Sequence, residues 1–317
     1  MGILAAMSEI STSDLPIRPG SVGQWTIAAA EAMDQAGLFF GHGTATAIDE
    51  AAWMVSHVLG LASDFDDAEF ARPLSAEHRA RLAALLQDRI ATRKPLAYLV
   101  GEAWFAGLPF HVDESTLVPR SPLAEIARDG LLPWLDFRRD LRVLDVGTGS
   151  GCISIALARY WPALAVDAAD VSPAALTLAQ RNVQRHGVAE RVRLVESDVY
   201  VGLGDARYDL ILSNPPYVPQ ASMESLPEEY RHEPALGLVA GSDGLEIFRR
   251  LLAGAPEHLT PTGLLLVELG EAAAAADALL GGIDAVWLDF EHGGEGVVLL
   301  DRPACLQFNQ QCEERTA

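Results

Sequence analysis

A four-residue segment, Asn214-Pro215-Pro216-Tyr217, carries the groups best suited to hold a planar NH2 group. Each proline fixes φ and lacks an N–H donor, so the segment is expected to be a stiff, extended loop that presents oxygen acceptors. The Asn214 side-chain oxygen and the Pro215 carbonyl can together accept both hydrogens of the NH2 group. The ring of Tyr217 can stack on the plane that bears it. The segment therefore predicts a site that aims a weakly nucleophilic nitrogen at an electrophile.

A glycine-rich loop, Gly147-Thr148-Gly149-Ser150-Gly151, follows an apolar run and precedes a helical stretch. Glycine lets the backbone turn sharply and approach a ligand closely, and the start of the next helix offers free N–H groups. A nucleotide-like ligand is expected there, outside the carboxyl end of the strand. A tight strand-to-helix turn without a ligand is the alternative that the loop alone leaves open.

Two aspartates follow the next two predicted strands. Asp170 lies nineteen positions after Gly151, where a carboxylate can accept hydrogen bonds from both hydroxyls of a ribose. Asp198 is placed to accept from the amino group of an adenine, although a role as a turn or helix cap explains it equally well. The glycine spacing differs from the G-x-G-x-x-G pattern of dinucleotide sites. These features favour an adenosine-containing cofactor that is not a nicotinamide dinucleotide.

The scaffold for these groups is predicted from the sequence pattern after Leu141. There, short apolar runs alternate with stretches that have helical periodicity. This order is typical of a doubly wound, Rossmann-like α/β sheet. We expect strands at 141–146, 164–169, 191–196, 208–213, 263–269, 284–290 and 296–301, and helices at 151–160, 172–186, 244–258 and 271–280. The last two strands leave no room for a helix, and 290–294 resembles a turn. The sheet is therefore expected to end in an antiparallel hairpin.

The chain before the sheet is predicted to be a small helical bundle. Helices are expected at 21–38, 47–61 and 75–92, with Ser21 and Ser75 as N-caps. Aromatic residues between Leu96 and Val112 predict a short β-hairpin. We therefore divide the chain into a helical domain at 1–94, a hairpin linker at 95–118 and the sheet domain at 119–317.

Together, Asp145 to Gly151, Asp170, Asp198 and Asn214 to Tyr217 resemble the S-adenosylmethionine-dependent amino-methyltransferases. More narrowly, the chain from about 93 to 300 is similar to the family that methylates the side-chain amide nitrogen, N5, of protein glutamine. The resemblance implies a class I methyltransferase sheet, S-adenosyl-L-methionine as the cofactor and a helical substrate-recognition domain. It implies catalysis by Asn214, Pro215, Pro216 and Tyr217, and cofactor contacts from Asp145, Gly147, Thr148, Gly149, Ser150, Gly151, Asp170, Asp198, Val199 and Asn214. At Val199 some relatives carry an aromatic residue against the adenine.

Three further segments distinguish branches of this family. They read Leu117-Val118-Pro119-Arg120-Ser121-Pro122, Tyr230-Arg231-His232-Glu233-Pro234 and Gly241-Ser242-Asp243-Gly244-Leu245. Enzymes that act on peptide chain release factors usually continue Pro-Arg with another proline, an acid and Thr. The segments here resemble the branch that acts on a large-subunit ribosomal protein, the third by standard naming. Methylation of release factors is the alternative substrate reading.

The net charge helps to choose between a protein and a nucleic acid as the substrate. The 317 residues include 23 basic and 44 acidic side chains, which gives a net charge of −21. Such a surface repels nucleic acid and attracts basic proteins. A basic ribosomal protein, methylated before assembly, is therefore expected as the partner, with no direct binding of nucleic acid. N6-methylation of adenine is the second candidate function, because the clamp formed by Asn214 to Tyr217 suits any planar NH2 group. A non-catalytic binding module would need a damaged loop or clamp, and both are intact.

Other expectations come from what the sequence lacks. The three cysteines and eight histidines show no metal-ligand spacing, so no metal is expected, and the sparse thiols are typical of a reducing cytoplasm. Apolar runs such as 263–269 are far shorter than the roughly 20 residues that cross a bilayer. We therefore expect a cytoplasmic protein without a membrane partner. Met1 and Met7 are equally acceptable starts.

Three polar residues each have alternative roles that the sequence does not separate. Glu233 either supports the acceptor loop or makes a structural bridge to Arg231 or a backbone amide. Arg120 either faces the cofactor carboxylate or the substrate, or forms an ion pair at a domain interface. Glu268 either contacts the methionine part of the cofactor or stabilises a turn. None of them is an obvious strong base. Loss of the proton to water after methyl transfer is therefore the expected course.

Overall fold

The computed structural model of the protein describes residues 20–61, 66–291 and 293–316. These residues form two units. The first contains the described chain up to Ala103 together with Pro227–His232, and the second contains Trp104–Leu226 and the described chain from Glu233 onward. Both candidate starts, Met1 and Met7, and His292 in the predicted turn lie outside the described residues.

The first unit is built from helices, as predicted. They are α1 (Val22–Gln35), α2 (Ala47–Leu59), α3 (Asp67–Phe70), α4 (Ala76–Thr92) and α5 (Leu96–Val100). The side chains of Ser21 and Ser75 accept hydrogen bonds from backbone N–H groups in the first turns of α1 and α4, so both predicted N-caps are present. A core of Ala, Val, Leu and Met side chains joins these helices.

The chain division differs from the expected boundaries at 94, 95–118 and 119. The first unit extends to Ala103, because α5 follows α4 directly, begins after Pro95 and ends at the left-handed Gly101. The predicted hairpin is shorter than 96–112: β1 (Glu102–Phe105) pairs with β2 (Leu108–His111).

The segment Pro227–His232 joins the helical unit through a buried carboxylate. Glu229 accepts a hydrogen bond from the Phe39 N–H at 2.9 Å, and its Oε1 lies 2.9 Å from Nη2 of Arg93 and 3.7 Å from Nη1 of Arg89. The Arg89 side chain is itself buried and donates to Glu50 at 2.7 Å. A buried carboxylate needs such partners, which explains why this distant segment packs with the helices.

The second unit is the predicted α/β sheet. Its strand order is β5-β4-β3-β6-β7-β9-β8, and the first five strands run parallel. The strands are β3 (Leu141–Val146), β4 (Leu164–Asp170), β5 (Val192–Glu196), β6 (Tyr208–Ser213), β7 (Leu259–Glu268), β8 (Val286–Leu288) and β9 (Val297–Asp301). The closing strand β9 is antiparallel to both β7 and β8, so the predicted terminal hairpin is confirmed. The strand β7 starts four residues earlier than expected, and β8 is shorter.

Helices cover both faces of this sheet and bury two apolar cores. They are α6 (Leu123–Asp129), α7 (Cys152–Tyr160), α8 (Pro173–His186), α9 (Ala235–Leu238), α10 (Glu246–His258), α11 (Ala273–Leu280) and α12 (Arg302–Thr316). The sequence predicted α7, α8, α10 and α11 but not α6, α9 or α12. The helix α12 is largely polar and presents few apolar side chains, such as Cys305 and Phe308, to the core. Its hydrophobic period is therefore too weak to read from the sequence.

Candidate functional site

The predicted site residues follow strands that are neighbours in the sheet. Val146 of β3 is in register with Ser213 of β6, and Ser213 is in register with Val267 of β7. The Ser213 hydroxyl also donates to the Val146 carbonyl at 2.7 Å. Gly147 and Asn214 each come one residue later. The register therefore brings the glycine loop and the Asn-Pro-Pro-Tyr segment together at one edge of the sheet.

The glycine loop turns through three residues with positive φ. Gly147, Gly149 and Gly151 have φ of 74°, 57° and 80°. A Cβ at Gly147 would meet no atom within 4 Å, whereas one at Gly151 would lie 3.1 Å from Cδ1 of Ile155 and 3.3 Å from Cβ of Ala179. The first glycine therefore borders open space where a ligand can approach the backbone. The third lets α7 pack closely against α8.

Hydrogen bonds to β4 and α8 hold the glycine loop in place. The N–H groups of Gly147 and Thr148 both donate to the Ala169 carbonyl, at 2.8 and 2.9 Å. Ser150 is buried, and its carbonyl accepts from the Asn182 side chain at 2.9 Å. The loop is thus held in its turned form by β4 and α8.

Asp145 is fully buried at the end of β3. Its Oδ2 accepts hydrogen bonds from the hydroxyls of Thr148, at 2.7 Å, and Ser154, at 2.6 Å, so the carboxylate braces the loop. Its Oδ1 is buried without a hydrogen-bond partner within the described chain. Burial raises the pKa of Asp145 to about 6, in spite of the two hydroxyl donors.

Asp170 ends β4 beside the glycine loop. Its Oδ2 accepts from the Gly149 N–H and its Oδ1 from the Ser172 N–H, each at 2.8 Å. Burial raises the pKa of Asp170, and these backbone donors oppose that rise. Because each carboxylate oxygen has a second lone pair, both can still accept from a ribose. Asp170 therefore links the loop to the position expected for the ribose.

Asp198 and Val199 follow β5, the next strand along. In the structure the Asp198 carboxylate forms an ion pair with Arg250 of α10, with Oδ1 and Nη2 2.8 Å apart. No pattern in the sequence indicates this partner. Val199 is buried and has a φ of 54°, which is rare for a β-branched residue. The hydroxyl of Ser197 stabilises this conformation by donating to the Val199 carbonyl.

The Asn-Pro-Pro-Tyr segment leaves β6 as a short stretch without regular structure. Pro215 is buried, whereas Asn214 and Tyr217 are partly buried. The backbone of Val218 then pairs with 238–240: its N–H donates to the Leu238 carbonyl at 2.8 Å, and its carbonyl accepts from the Ala240 N–H at 3.0 Å. These bonds anchor the far end of the segment.

Two glycines make room for Tyr217. A Cβ at Gly270 would lie 2.8 Å from Cζ of the Tyr217 ring, and one at Gly244 would lie 2.2 Å from the Tyr217 carbonyl oxygen. Both glycines have positive φ. The ring and the backbone of Tyr217 are therefore seated against residues that must lack side chains.

Glu268 ends β7 one residue after Val267, just as Asn214 comes one residue after Ser213, the partner of Val267. Its Oε2 accepts a short hydrogen bond from the Ser121 hydroxyl, which also accepts from the Leu123 N–H. Burial raises the pKa of Glu268 to about 7, and Ser121 and Arg120 oppose that rise. A buried acid at a strand end was visible in the sequence, but its partner Ser121 carried no signal of its own.

Arg120 and Glu233 pair with each other. Two nearly parallel hydrogen bonds of 2.6 and 2.7 Å join the guanidinium to the buried carboxylate, and the Val118 N–H donates to the same carboxylate at 3.0 Å. The bond from the Val118 N–H matches the backbone-amide bridge that was one alternative for Glu233. Arg120 forms an ion pair, but with a residue of its own unit and not across a domain interface. The pair ties the segment before α6 to the segment before α9.

The residues present fit S-adenosylmethionine. Open space borders Gly147, the carboxylate of Asp170 retains acceptor capacity, and Asp145 holds a buried oxygen with no hydrogen bond inside the described chain. The helix that starts directly after the loop offers free N–H groups that could bind an anionic group. The cofactor would therefore be held by the loop, by Asp170 and by the strand ends beside them.

Among residues 20–61, 66–291 and 293–316, no group of three or more His, Cys, Asp or Glu side chains is arranged to hold a metal ion. Within the same residues, no helix combines the length and apolarity needed to cross a bilayer.

Two protein families match the chain: the methyltransferase small domain over residues 125–228 and the PrmC N-terminal domain over residues 31–101. Among solved structures, the chain is similar to a methyltransferase from Pyrococcus furiosus, with 21% identity and a TM-score of 0.44 over 70% of this chain and 98% of that one.

Curated relatives are much more similar. The ribosomal protein uL3 glutamine methyltransferase of Xanthomonas campestris pv. campestris is 45% identical over 84% of this chain and 87% of its own length. The enzyme of the same name from Bordetella pertussis is 44% identical over 86% of this chain and 92% of its own length. The resemblance read from the motifs is thus confirmed, and the chain belongs to the family of ribosomal protein uL3 glutamine methyltransferases.

Proposed function

We propose that this protein transfers a methyl group from S-adenosylmethionine to the side-chain amide nitrogen of a glutamine in ribosomal protein uL3. The observation that carries the proposal is the strand register that sets the glycine loop beside Asn214. The names of the curated relatives support the choice of substrate. The backbone hydrogen bonds of Val218, which anchor the end of the Asn-Pro-Pro-Tyr segment, support the role of this segment in holding the amide.

The chain's own residues would act by holding and orienting the amide. S-adenosylmethionine supplies an activated methyl group on a sulfonium sulfur. The Asn214 side-chain oxygen and the Pro215 carbonyl would accept the two N–H hydrogens, and Tyr217 would stack on the amide plane. Two acceptors aimed at a nitrogen that gains positive charge stabilise the transition state more than the ground state. Alignment at near-attack distance can contribute on the order of 7 to 11 kcal/mol.

Charge supports a basic protein as the partner. A net charge of −21 attracts a free, basic ribosomal protein, while the RNA of an assembled subunit would be repelled. We therefore propose that methylation precedes assembly, in the cytoplasm, and that nucleic acid is not bound directly. Faster methylation of assembled subunits than of free uL3 would contradict this order.

The test is methyl transfer by purified protein, with Asn214→Ala as the informative variant. We expect wild-type enzyme to add one methyl group to a uL3 glutamine, located by peptide mass spectrometry. Asn214→Ala should retain cofactor binding and lose roughly 100-fold or more in rate, as when a preorganised polar group is removed. Full activity of the variant would contradict the role of Asn214.

The same assay separates the remaining candidates. Release factors and adenine-containing DNA are offered under identical conditions, because the clamp suits any planar NH2 group. Methylation of a release factor or of DNA in preference to uL3 would overturn the proposed substrate. Failure to bind S-adenosylmethionine, measured by calorimetry, would overturn the enzyme assignment altogether.

A further inference from the structure

We propose that Glu268 accepts the proton released from the glutamine amide nitrogen during methyl transfer, with Ser121 positioning its carboxylate. The proposal rests on the proposed function and replaces the expectation that the proton passes directly to water. It assigns Glu268 as a further catalytic residue, because its carboxylate would touch the reacting nitrogen.

The first support is the position of Glu268 in the sheet. Ser213 and Val267 are the last partners in the parallel pair of β6 and β7, and Asn214 and Glu268 directly follow them. Neighbouring strands lie about 4.8 Å apart, so two residues that follow a registered pair start close to each other. An amide held by Asn214 therefore lies within reach of Glu268.

The second support is the way in which the carboxylate is held. The Ser121 hydroxyl donates to Oε2 of Glu268, and the Leu123 N–H in turn donates to Ser121. This chain of bonds fixes the carboxylate from the side of α6. The other oxygen, Oε1, is then available to an incoming N–H group, since Ser121 occupies Oε2.

The third support is the electrostatic environment. Glu268 is about 5% exposed, and burial raises its pKa to about 7. The charged group that acts on it is Arg120, whose guanidinium is already paired with Glu233. On its two neighbouring strands, β9 presents the apolar Val297 and β6 leads to the neutral Asn214. A base with a pKa near the working pH is the most effective proton acceptor.

The chemistry balances with Glu268 as the acceptor. The nitrogen–methyl bond forms as the methyl–sulfur bond breaks, and sulfur keeps the electron pair. As the nitrogen becomes tetrahedral, one N–H hydrogen leaves its acceptor in the Asn214–Tyr217 segment; this proton moves to Oε1 of Glu268 and passes to water after the product leaves. Removal of this proton restores the lone pair to the amide, whose conjugation would otherwise be lost.

The experiment measures kcat for methylation of uL3 by wild type and by Glu268→Gln between about pH 5.5 and about pH 9. This range of about 3.5 pH units includes the pKa of Glu268. A carboxylate must be ionised to accept a proton, so wild-type kcat should rise with pH through about 7 and then level off. Glu268→Gln should lower kcat by roughly 100- to 10,000-fold and abolish the rise with pH. The affinity for S-adenosylhomocysteine, measured by calorimetry, should stay within about twofold, because the proposed role leaves cofactor contacts intact.

Ser121→Ala provides a second variant that keeps the carboxylate. Loss of the hydroxyl donor disfavours the ionised form of Glu268, so the rise in kcat should move to higher pH while high-pH activity is retained in large part. The matched control is Glu257→Gln, an exposed acid at the end of α10, next to the amino end of β7 and away from the site. It should keep the wild-type rate and pH profile.

Several outcomes would overturn the proposal. These are an unchanged kcat or an unchanged pH profile in Glu268→Gln, and a loss of S-adenosylhomocysteine affinity that accounts for the whole defect. An unshifted profile in Ser121→Ala would overturn the positioning role. If wild-type enzyme methylates uL3 and Glu268→Gln does so equally well, only this inference fails. If wild-type enzyme binds the cofactor but methylates no glutamine, both it and the proposed function fail.

Discussion

Tyr217 depends on a residue without a side chain. Gly270 has a φ of 45°, and a Cβ there would lie within 3.0 Å of two ring atoms and the hydroxyl oxygen of Tyr217. Gly270→Ala should therefore displace the ring. We expect a loss of about 1 to 3 kcal/mol in the free energy of unfolding, as for an overpacked site, together with a marked loss of methyl transfer. Urea unfolding and the methylation assay measure the two effects.

Gly187→Ala is the matched control for this substitution. Gly187 also has a positive φ, 64°, but a Cβ there would meet nothing within 4 Å. It should lose about 1 kcal/mol from backbone strain alone and retain full activity. Equal loss of activity in both variants would refute the steric explanation.

Glu268 also predicts how stability depends on pH. Its folded pKa, about 7, lies above the ordinary value of 4.5, so the folded state favours the protonated form. The stabilisation by this group is complete below pH 4.5 and is lost as the pH rises through 7. Between about pH 5 and pH 8, wild type should lose about 2 to 3 kcal/mol relative to Glu268→Gln, which stays neutral.

Urea unfolding of both proteins at pH 5 and pH 8 isolates this contribution, because the other titrating groups are common to the pair. The difference in unfolding free energy should grow in favour of the variant at the higher pH. A constant difference would show that Glu268 ionises freely in the folded protein.

The segment before α6, which carries Arg120, is joined to the segment before α9 by an ion pair whose carboxylate is buried. Arg120→Ala would remove the guanidinium that pairs with the Glu233 carboxylate, which is fully buried, and would keep the hydrogen bond from the Val118 N–H. We expect a loss of about 3 to 5 kcal/mol in unfolding free energy. Arg128→Ala is the control, since its pair with Asp129 is exposed and should contribute no more than about 1 kcal/mol. Similar losses in the two variants would contradict the expectation that an ion pair with a buried carboxylate contributes more to stability than an exposed pair.

The elements themselves were predictable where local signals are strong. The strands expected at 141–146 and 208–213 coincide with β3 and β6, because buried parallel strands are short apolar runs. The glycine and proline loops were predictable because those residues restrict or free the backbone directly. The parallel register then sets both loops side by side.

Features that depend on distant partners were not predictable. The pairing of Asp198 with Arg250 and that of Glu268 with Ser121 join residues far apart in the chain. The sequence placed 227–232 with the sheet, whereas Glu229 packs in the helical unit through Arg89 and Arg93. Such contacts arise from tertiary packing and leave no periodic pattern.

At the scale of the whole molecule, the charge of −21 predicts a salt-dependent encounter with a basic substrate. Salt screens long-range attraction, so kcat/KM for uL3 should fall by roughly tenfold or more between low and high ionic strength. The affinity for S-adenosylhomocysteine should change little, because that contact is short-range. Steady-state kinetics over a potassium chloride series, with calorimetry as the control, test this. A kcat/KM that is insensitive to salt would contradict electrostatic attraction.

The chain passes from the sheet unit into the helical unit and back around Pro227–His232, so the helical unit is completed by residues that lie far along the sequence. Glu229→Ala removes the carboxylate that faces Arg89 and Arg93 and leaves the buried Arg89 with Glu50 as its charged partner. We expect a loss of about 3 to 5 kcal/mol in unfolding free energy and faster hydrogen exchange in α2 and α4. Glu228→Ala, which removes a more exposed carboxylate 3.5 Å from Arg93, should cost less than about 1 kcal/mol. Equal effects of the two substitutions, or faster exchange confined to the sheet, would contradict the role of this segment in the helical unit.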